Sequence, residues 1–309
     1  MNIMTLVNAL PGACAQGLIW GVMAIGLYIT YKILRLSDLT VDGTMCTGGA
    51  VCVMMMIRGH SVWTAMLCAF IAGLLAGMVT GILHTAFGIP AILAGILTQQ
   101  GLYSINLAVM EDKANQAIAV DKYDLLVSLR YIKGVPFYQN PIFITIIFII
   151  VIIAVMYWFF GTELGSSIRA TGTNENMARA QGINTNANKI IGLMISNGII
   201  ALASALYAQY QGFADVNAGR GAIVTGLASI IIGQVVFGKI RGNFAFKMLS
   251  AALGSIVYYI VIQVVLWLGM PSNYLKLLSS IVVALFLAIP YLQSKYFAKP
   301  VKKGGAQNA

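Results

Sequence analysis

Nine stretches of this 309-residue chain are apolar over roughly 20 residues each, and that feature limits what the chain can become. A helix of about 20 residues rises ~30 Å, the thickness of bilayer hydrocarbon, and inside that layer every backbone N–H and C=O has to be satisfied within the segment. The stretches fall near residues 12–34, 39–57, 62–83, 86–108, 141–161, 189–210, 221–238, 246–268 and 277–297. They predict an all-α polytopic membrane protein of about nine transmembrane helices. Composition agrees, because 59% of residues are hydrophobic and only 9% are charged, too few to wet the surface of a water-soluble domain. Two spans read as weaker. Residues 39–57 open on Asp42 and Gly43, and 221–238 is short and rich in Gly and Ser. Either fits a broken or re-entrant helix bordering a cavity, where irregular backbone is tolerated at membrane depth.

Positive charge sets the expected orientation, since Lys and Arg of short loops collect on the cytoplasmic side. With the N-terminus outside and the C-terminus in the cytoplasm, 12 of the 19 Lys and Arg lie inside, among them Lys32, Arg35, Arg169, Arg179, Lys189 and Lys247. The outer loop at 109–140 is neutral overall: Lys113, Lys122, Arg130 and Lys133 face Glu111, Asp112, Asp121 and Asp124. The net charge of +10 therefore sits at membrane ends, where topology requires it, and implies no nucleic-acid partner. Residues 1–10 carry no charge, so they lack the basic start of a cleavable signal peptide, and the first span is expected to be retained. The whole chain, 1–309, reads as one domain of a multi-pass cell-membrane protein, with an inner loop at 162–188 and a basic tail at 298–309. The first group of four spans starts outside, the fifth connects, and the last group of four starts inside. That order is the pattern of an inverted repeat, an arrangement that puts substrate paths near the midplane between its halves.

Polar groups inside hydrocarbon are expensive and mark cavities or interhelical bonds. The candidates are Asp42, Thr44, Gln99, Gln100, Asn106, Asn197, Gln209, Gln211, Gln234 and Gln263. Amides donate and accept without fixed charge, which suits a path for a polar or zwitterionic solute. The path is assigned to Asp42, Thr44, Gln99, Gln100, Asn197, Gln209 and Gln234, with interhelical hydrogen bonding as the competing reading for each. Asp38 and Asp42, four residues apart, share a face if helical and read as helix-start caps or as an ion-coupling site. The four Cys lack paired or metal-ligand spacing, His60 and His84 stand alone at membrane edges, and no hydrolase or phosphate-binding motif occurs. No enzyme site and no metal site is expected. Gly73, Gly77 and Gly81, like Gly17 and Gly21, clear one helix face for close approach, within the chain or at a seam between copies.

The inner loop is the most informative segment. Asn174 to Gln181 carries helix formers after Thr173, Glu175 near its start and Arg179 near its end, matching the helix dipole, and Gly182 then stops it. A short helix at the inner surface is a docking element for a cytoplasmic partner. The stretch Arg169, Ala170, Thr171, Gly172, Asn174, Ala178, Gly182 and Ile183, continuing into Gln209, Gly212, Asp215, Gly219, Gly221 and Gly233, resembles ABC importer permeases of the branched-chain amino acid and ribose permease superfamily. The opening "LRLSDLTVDGTMCTGGAV" is similar to a subgroup with a "DLTVDG" second span, so the resemblance covers most of residues 30–240.

That resemblance implies a permease subunit that pairs with a second copy of itself and carries no cofactor of its own, ATP and Mg belonging to two cytoplasmic ATPase subunits. It implies that Arg169, Gly172, Thr173, Asn174, Glu175, Ala178, Arg179, Gly182 and Ile183 form the coupling helix region that engages the ATPase. An external solute-binding protein would meet the loop at 109–140. The implied solute is small and polar, an amino acid with aromatic ones included. The rival is an ion-coupled secondary transporter that uses Asp42.

Overall fold

The computed structural model describes residues 3–119, 122–123, 125–128, 140–238, 243–269, 271, 274, 277, 279–286 and 288. Helix α1 (Ile3–Tyr28) widens into a π turn (Ile29–Leu34) that ends at Arg35, in the left-handed region with φ of 55°. Four spans follow: α2 (Thr40–Ile57), α3 (Val62–Thr85), α4 (Ala91–Val109) and α5 (Pro141–Gly161). Two short helices, α6 (Glu163–Thr173) and α7 (Glu175–Ala180), lead to α8 (Thr185–Gln211), α9 (Ala222–Phe237) and α10 (Phe244–Trp267). A small antiparallel ribbon pairs β1 (Asn115–Ala117) with β2 (Phe213–Asp215), Ala117 opposite Phe213.

Among the described residues, seven helices are long and apolar enough to cross a bilayer. The expected span at 221–238 is the 16-residue α9, a rise of about 24 Å that falls short of the hydrocarbon thickness. Its shortness has a local cause. Gly212 and Gly221 both hold positive φ, 81° and 87°, so the chain after α8 turns back and enters α9 only at Ala222. Of the ninth expected span, 277–297, residues 277, 279–286 and 288 are described; the rest of it, Lys239, Arg241 and the tail at 298–309 lie outside the described residues.

Helix α8 is the hub, and glycines set how closely its neighbours approach. Gly73, Gly77 and Gly81 of α3 lie against Asn197, Leu193 and Ile190, in descending order, so α3 and α8 run antiparallel. Gly48 and Gly49 of α2 lie against Ala201 and Ser204, and Gly26 of α1 against Ser196 and Ile200. Gly17 and Gly21 take α10 at Ile256 and Ala252. The glycine spacings read from sequence are therefore intramolecular seams. The opposite face of α3 stays outward and apolar, with Trp63, Leu67, Ile71, Leu75 and Val79 all exposed.

The two ends of the bundle differ. The Tyr210 hydroxyl donates to the Gly12 carbonyl at 3.3 Å, which puts the start of α1, the end of α8 and the ribbon at one end. Ile118, Leu125 and Val127 of the 109–140 loop are buried there against α2 and α8. The described residues of the loop lie over that end. At the other end α6 packs on α8 through Asn188 Nδ2, which donates to Thr171 Oγ1 at 2.9 Å. Helix α6 was not foreseen as a helix. Thr162 caps it by accepting from the Gly165 N–H, and Ile168 and Thr171 form its buried face.

Candidate functional site

The two spans that read as weaker in sequence meet in space. Asp42 stands in the first turn of α2, and its carboxylate accepts the Gly221 N–H at 3.0 Å and the Ile223 N–H at 2.9 Å. It caps the start of a different helix, α9, across the bundle. Gly219 makes this possible by lying against the Asp42 carbonyl, where a Cβ would overlap. Cys46, one turn further along α2, accepts the Gly219 N–H at 3.2 Å and sits 3.0 Å from the Val216 carbonyl oxygen. Residues 216–221 are thereby laced to α2.

Against this junction opens a cavity of about 220 Å³ lined by Asp42, Gly43, Cys46, Gln99, Gln100, Tyr103, Asn106, Val216 and Arg220. Asp42, Gln99 and Gln100 were expected on the path and come together here. The other expected path residues lie elsewhere. Thr44 donates to Asn197 Oδ1 at 2.7 Å, and Asn197 donates to Asp38 Oδ2 at 2.8 Å and to the Leu193 carbonyl at 3.0 Å, a closed cluster of interhelical bonds. Asp38 also accepts the Thr40 N–H at 2.9 Å, which starts α2. Gln209 is buried, accepting the Leu126 N–H at 3.1 Å and donating to Cys52 Sγ, so it fastens the 109–140 loop. Gln234 is half-buried on α9 away from the cavity. Asn106, Tyr103, Cys46 and Arg220 complete the lining. Asn106 was visible in sequence as a polar residue inside a span, but Arg220 counted there only as a topology charge.

The second candidate surface is α6–α7. Asn174 accepts the Met177 N–H at 3.1 Å as the cap of α7, and Gly182 ends it with φ of 79°. Glu175 braces the turn, pairing with Arg179 and with Lys189 at 2.8 Å each, while Arg179 Nε donates to Thr185 Oγ1 at 2.8 Å. Of the residues expected to engage an ATPase, Arg169, Thr173, Asn174, Arg179 and Gly182 are exposed, and Glu175 and Ile183 are half-buried. Ala178 is buried, and Gly172 packs on the Ile33 carbonyl, where a Cβ would overlap. Met177, absent from the expected set, is 63% exposed in the middle of this polar surface.

The Lys189 hydrogen bond and the charges of Lys189 and Arg179 hold the Glu175 carboxyl below its ordinary 4.5. A carboxyl whose folded value is depressed contributes stability above its unfolded value and loses it as pH falls through the folded one. Amide exchange protection in α7 is therefore expected to hold from neutral pH to about 4.5 and to decline only below it. Glu175→Gln should flatten that decline while lowering protection at neutral pH.

The fold and the polar cavity point to transport, and comparison with known proteins decides the family. The family described as "Branched-chain amino acid transport system / permease component" matches residues 11–288. The chain belongs to this permease family. A tyrosine transport system permease protein of Clostridioides difficile is 40% identical to the permease over 273 residues, 88% of each chain. An autoinducer 2 import system permease protein of Salmonella typhi is 27% identical over 248 residues, 75% of this chain and 66% of the relative. The structure of PsaBC from Streptococcus pneumoniae in complex with Fab superposes with a TM-score of 0.50 at 15% identity, covering 94% of the permease and 95% of that chain, a likeness of fold. The permease is thus an integral membrane transporter subunit of the ABC-importer class and not an enzyme.

Proposed function

We propose that this permease forms the path for a small polar solute, an amino acid with aromatic ones included, in an ATP-driven importer. The observation that carries the reading is the junction of α2 and α9. Each is the second span of its half in the inverted repeat expected from sequence, α2 having 18 residues and α9 16. Paired short or interrupted spans in corresponding places are where such folds bind their solute. The tyrosine transport permease at 40% identity supports an amino acid as cargo.

On this reading the α6–α7 end faces the cytoplasm, the ribbon end and the start of α1 face outside, and the span count reaches nine. An external binding protein docks on the ribbon end. Two ATPase subunits, which hold ATP and Mg, dock on the α6–α7 surfaces of two copies, with α7 as the coupling helix. A second copy is favoured by α4, whose outward face carries Gln100, Gly101 and Ser104, groups that lipid solvates poorly. A partner across this face would shelter them and close the open side of the cavity.

Met177 is the expected anchor, since an exposed apolar side chain ringed by polar ones is how a docking point is built. Met177→Asp is expected to cut ATPase co-purification from mild detergent by about 30-fold, the equivalent of ~2 kcal/mol. Thiol labelling at positions 176–181 should be blocked when the ATPase is bound. Equal labelling with and without ATPase, or Met177→Asp complexes that stay intact, would remove α7 as the coupling element.

A further inference from the structure

We infer that the cavity at the head of α9 is a recognition site for a zwitterionic α-amino acid, with the carboxylate on Arg220 and the ammonium on Asp42 and the amide oxygen of Asn106. The inference rests on the permease reading above and adds a binding step inside the membrane domain.

Asn106 is the first ground. It is 1% exposed, it lines the cavity, and neither its amide nitrogen nor its amide oxygen has a hydrogen-bond partner. A buried amide group left unpaired costs about 1–3 kcal/mol, so an occupant that offers both an acceptor and a donor is favoured over an empty cavity. Asn197 shows the contrast: equally buried, it has its amide fully engaged with Thr44, Asp38 and Leu193.

The charges are the second ground. Asp42 and Arg220 line one cavity without forming an ion pair, and Arg220 has no side-chain partner among the described residues. Each Asp42 oxygen accepts one backbone N–H of α9 and keeps a second lone pair. An anion alone would meet the Asp42 charge, and a cation alone would meet Arg220. An uncharged solute would leave Arg220 unpaired. A molecule with one charge of each sign satisfies both. The positive end of the α9 dipole is already met by Asp42, so Arg220, an exposed residue of the cavity lining, is the group left for a carboxylate. Size agrees, because about 220 Å³ is below the roughly 300–1,000 Å³ that accommodates drug-sized ligands. Gln99, Gln100 and Tyr103 then face the side chain of the solute.

The test uses the permease–ATPase complex in nanodiscs without binding protein. Tritiated L-tyrosine is the first probe, with the other L-amino acids as competitors. Saturable binding is expected for at least one amino acid. Its analogues lacking either the amino or the carboxylate group should compete at least tenfold more weakly. Arg220→Gln, at an exposed position, should weaken binding tenfold or more, as should Asn106→Leu, with ATPase co-purification retained. Competition by the carboxylate analogue as strong as by the amino acid would overturn the zwitterion assignment. So would binding untouched by Arg220→Gln. No binding of any amino acid, while binding-protein-dependent, ATP-driven amino acid uptake persists, would overturn the recognition site and leave the permease reading standing. Absence of ATP-driven uptake and of ATPase association would instead sink that reading itself.

Discussion

Replacing Asp42 by leucine is expected to lower ATP-driven uptake in reconstituted vesicles about a hundredfold, and Asp42→Asn about tenfold. The carboxylate accepts two backbone N–H groups, from Gly221 and Ile223, that α9 leaves without partners of its own. Hydrogen bonds to a charged acceptor contribute roughly 1.5–3 kcal/mol each, so removing both releases the head of α9 at a cost of about 3 kcal/mol or more. Asparagine keeps one oxygen for one of the two. The readout that isolates this cause is amide exchange at residues 221–225, which should rise in the leucine variant and rise less in the asparagine variant. Under the ion-coupled rival, Asp42→Asn would stop uptake as completely as leucine, and wild-type uptake would depend on an ion gradient. Persistence of uptake with ATP and no gradient would exclude that rival.

This pairing shows what the sequence could and could not carry. The carboxylate at the start of a weak span was legible, and so was the weakness of the two spans, 39–57 and 221–238, but not that they meet. That Asp42 caps α9 and not its own helix was not legible, because 179 residues separate Asp42 from Gly221. Local pattern has no access to a contact of that range. The α7 helix was legible to within a residue, since cap, charges and terminating Gly182 are all local signals. Helix α6 escaped because the stretch Glu163–Thr173 is short and mostly Gly, Ser, Thr and charged residues, with Ile168 the one large side chain among its buried Gly165, Ile168 and Thr171. Buried amides could be found but not sorted: Asn197 and Gln209 are bonded within the fold, while Asn106 is left open. Which amide is free depends on what lies across the helix, and composition is silent on that.

The glycine seams around α8 make the strongest stability prediction. Gly48→Val is expected to reduce the yield of monodisperse protein at least tenfold, as read by size-exclusion chromatography, whereas Gly161→Ala should leave it unchanged. A Cβ at position 48 would overlap the Ala201 carbonyl, so backbone meets backbone and no side-chain rotation relieves it. Gly161, at the end of α5, has nothing within 4 Å of where its Cβ would stand. Overpacking by a few methyl groups already costs about 1–3 kcal/mol in a close-packed interior. In a bilayer there is no hydrophobic drive to hold separated helices together, so packing lost at a small-residue seam is not recovered elsewhere. The loss should also reach function, because pushing α2 from α8 moves Asp42 away from α9 and parts Thr44 from Asn197. A suppressor that shortens the facing side of α8 cannot help at Ala201, whose obstructing atoms are main-chain. Normal yield and intact exchange protection at residues 221–225 in Gly48→Val would mean that the α2–α8 seam is looser than the close approach of Gly48 to Ala201 implies.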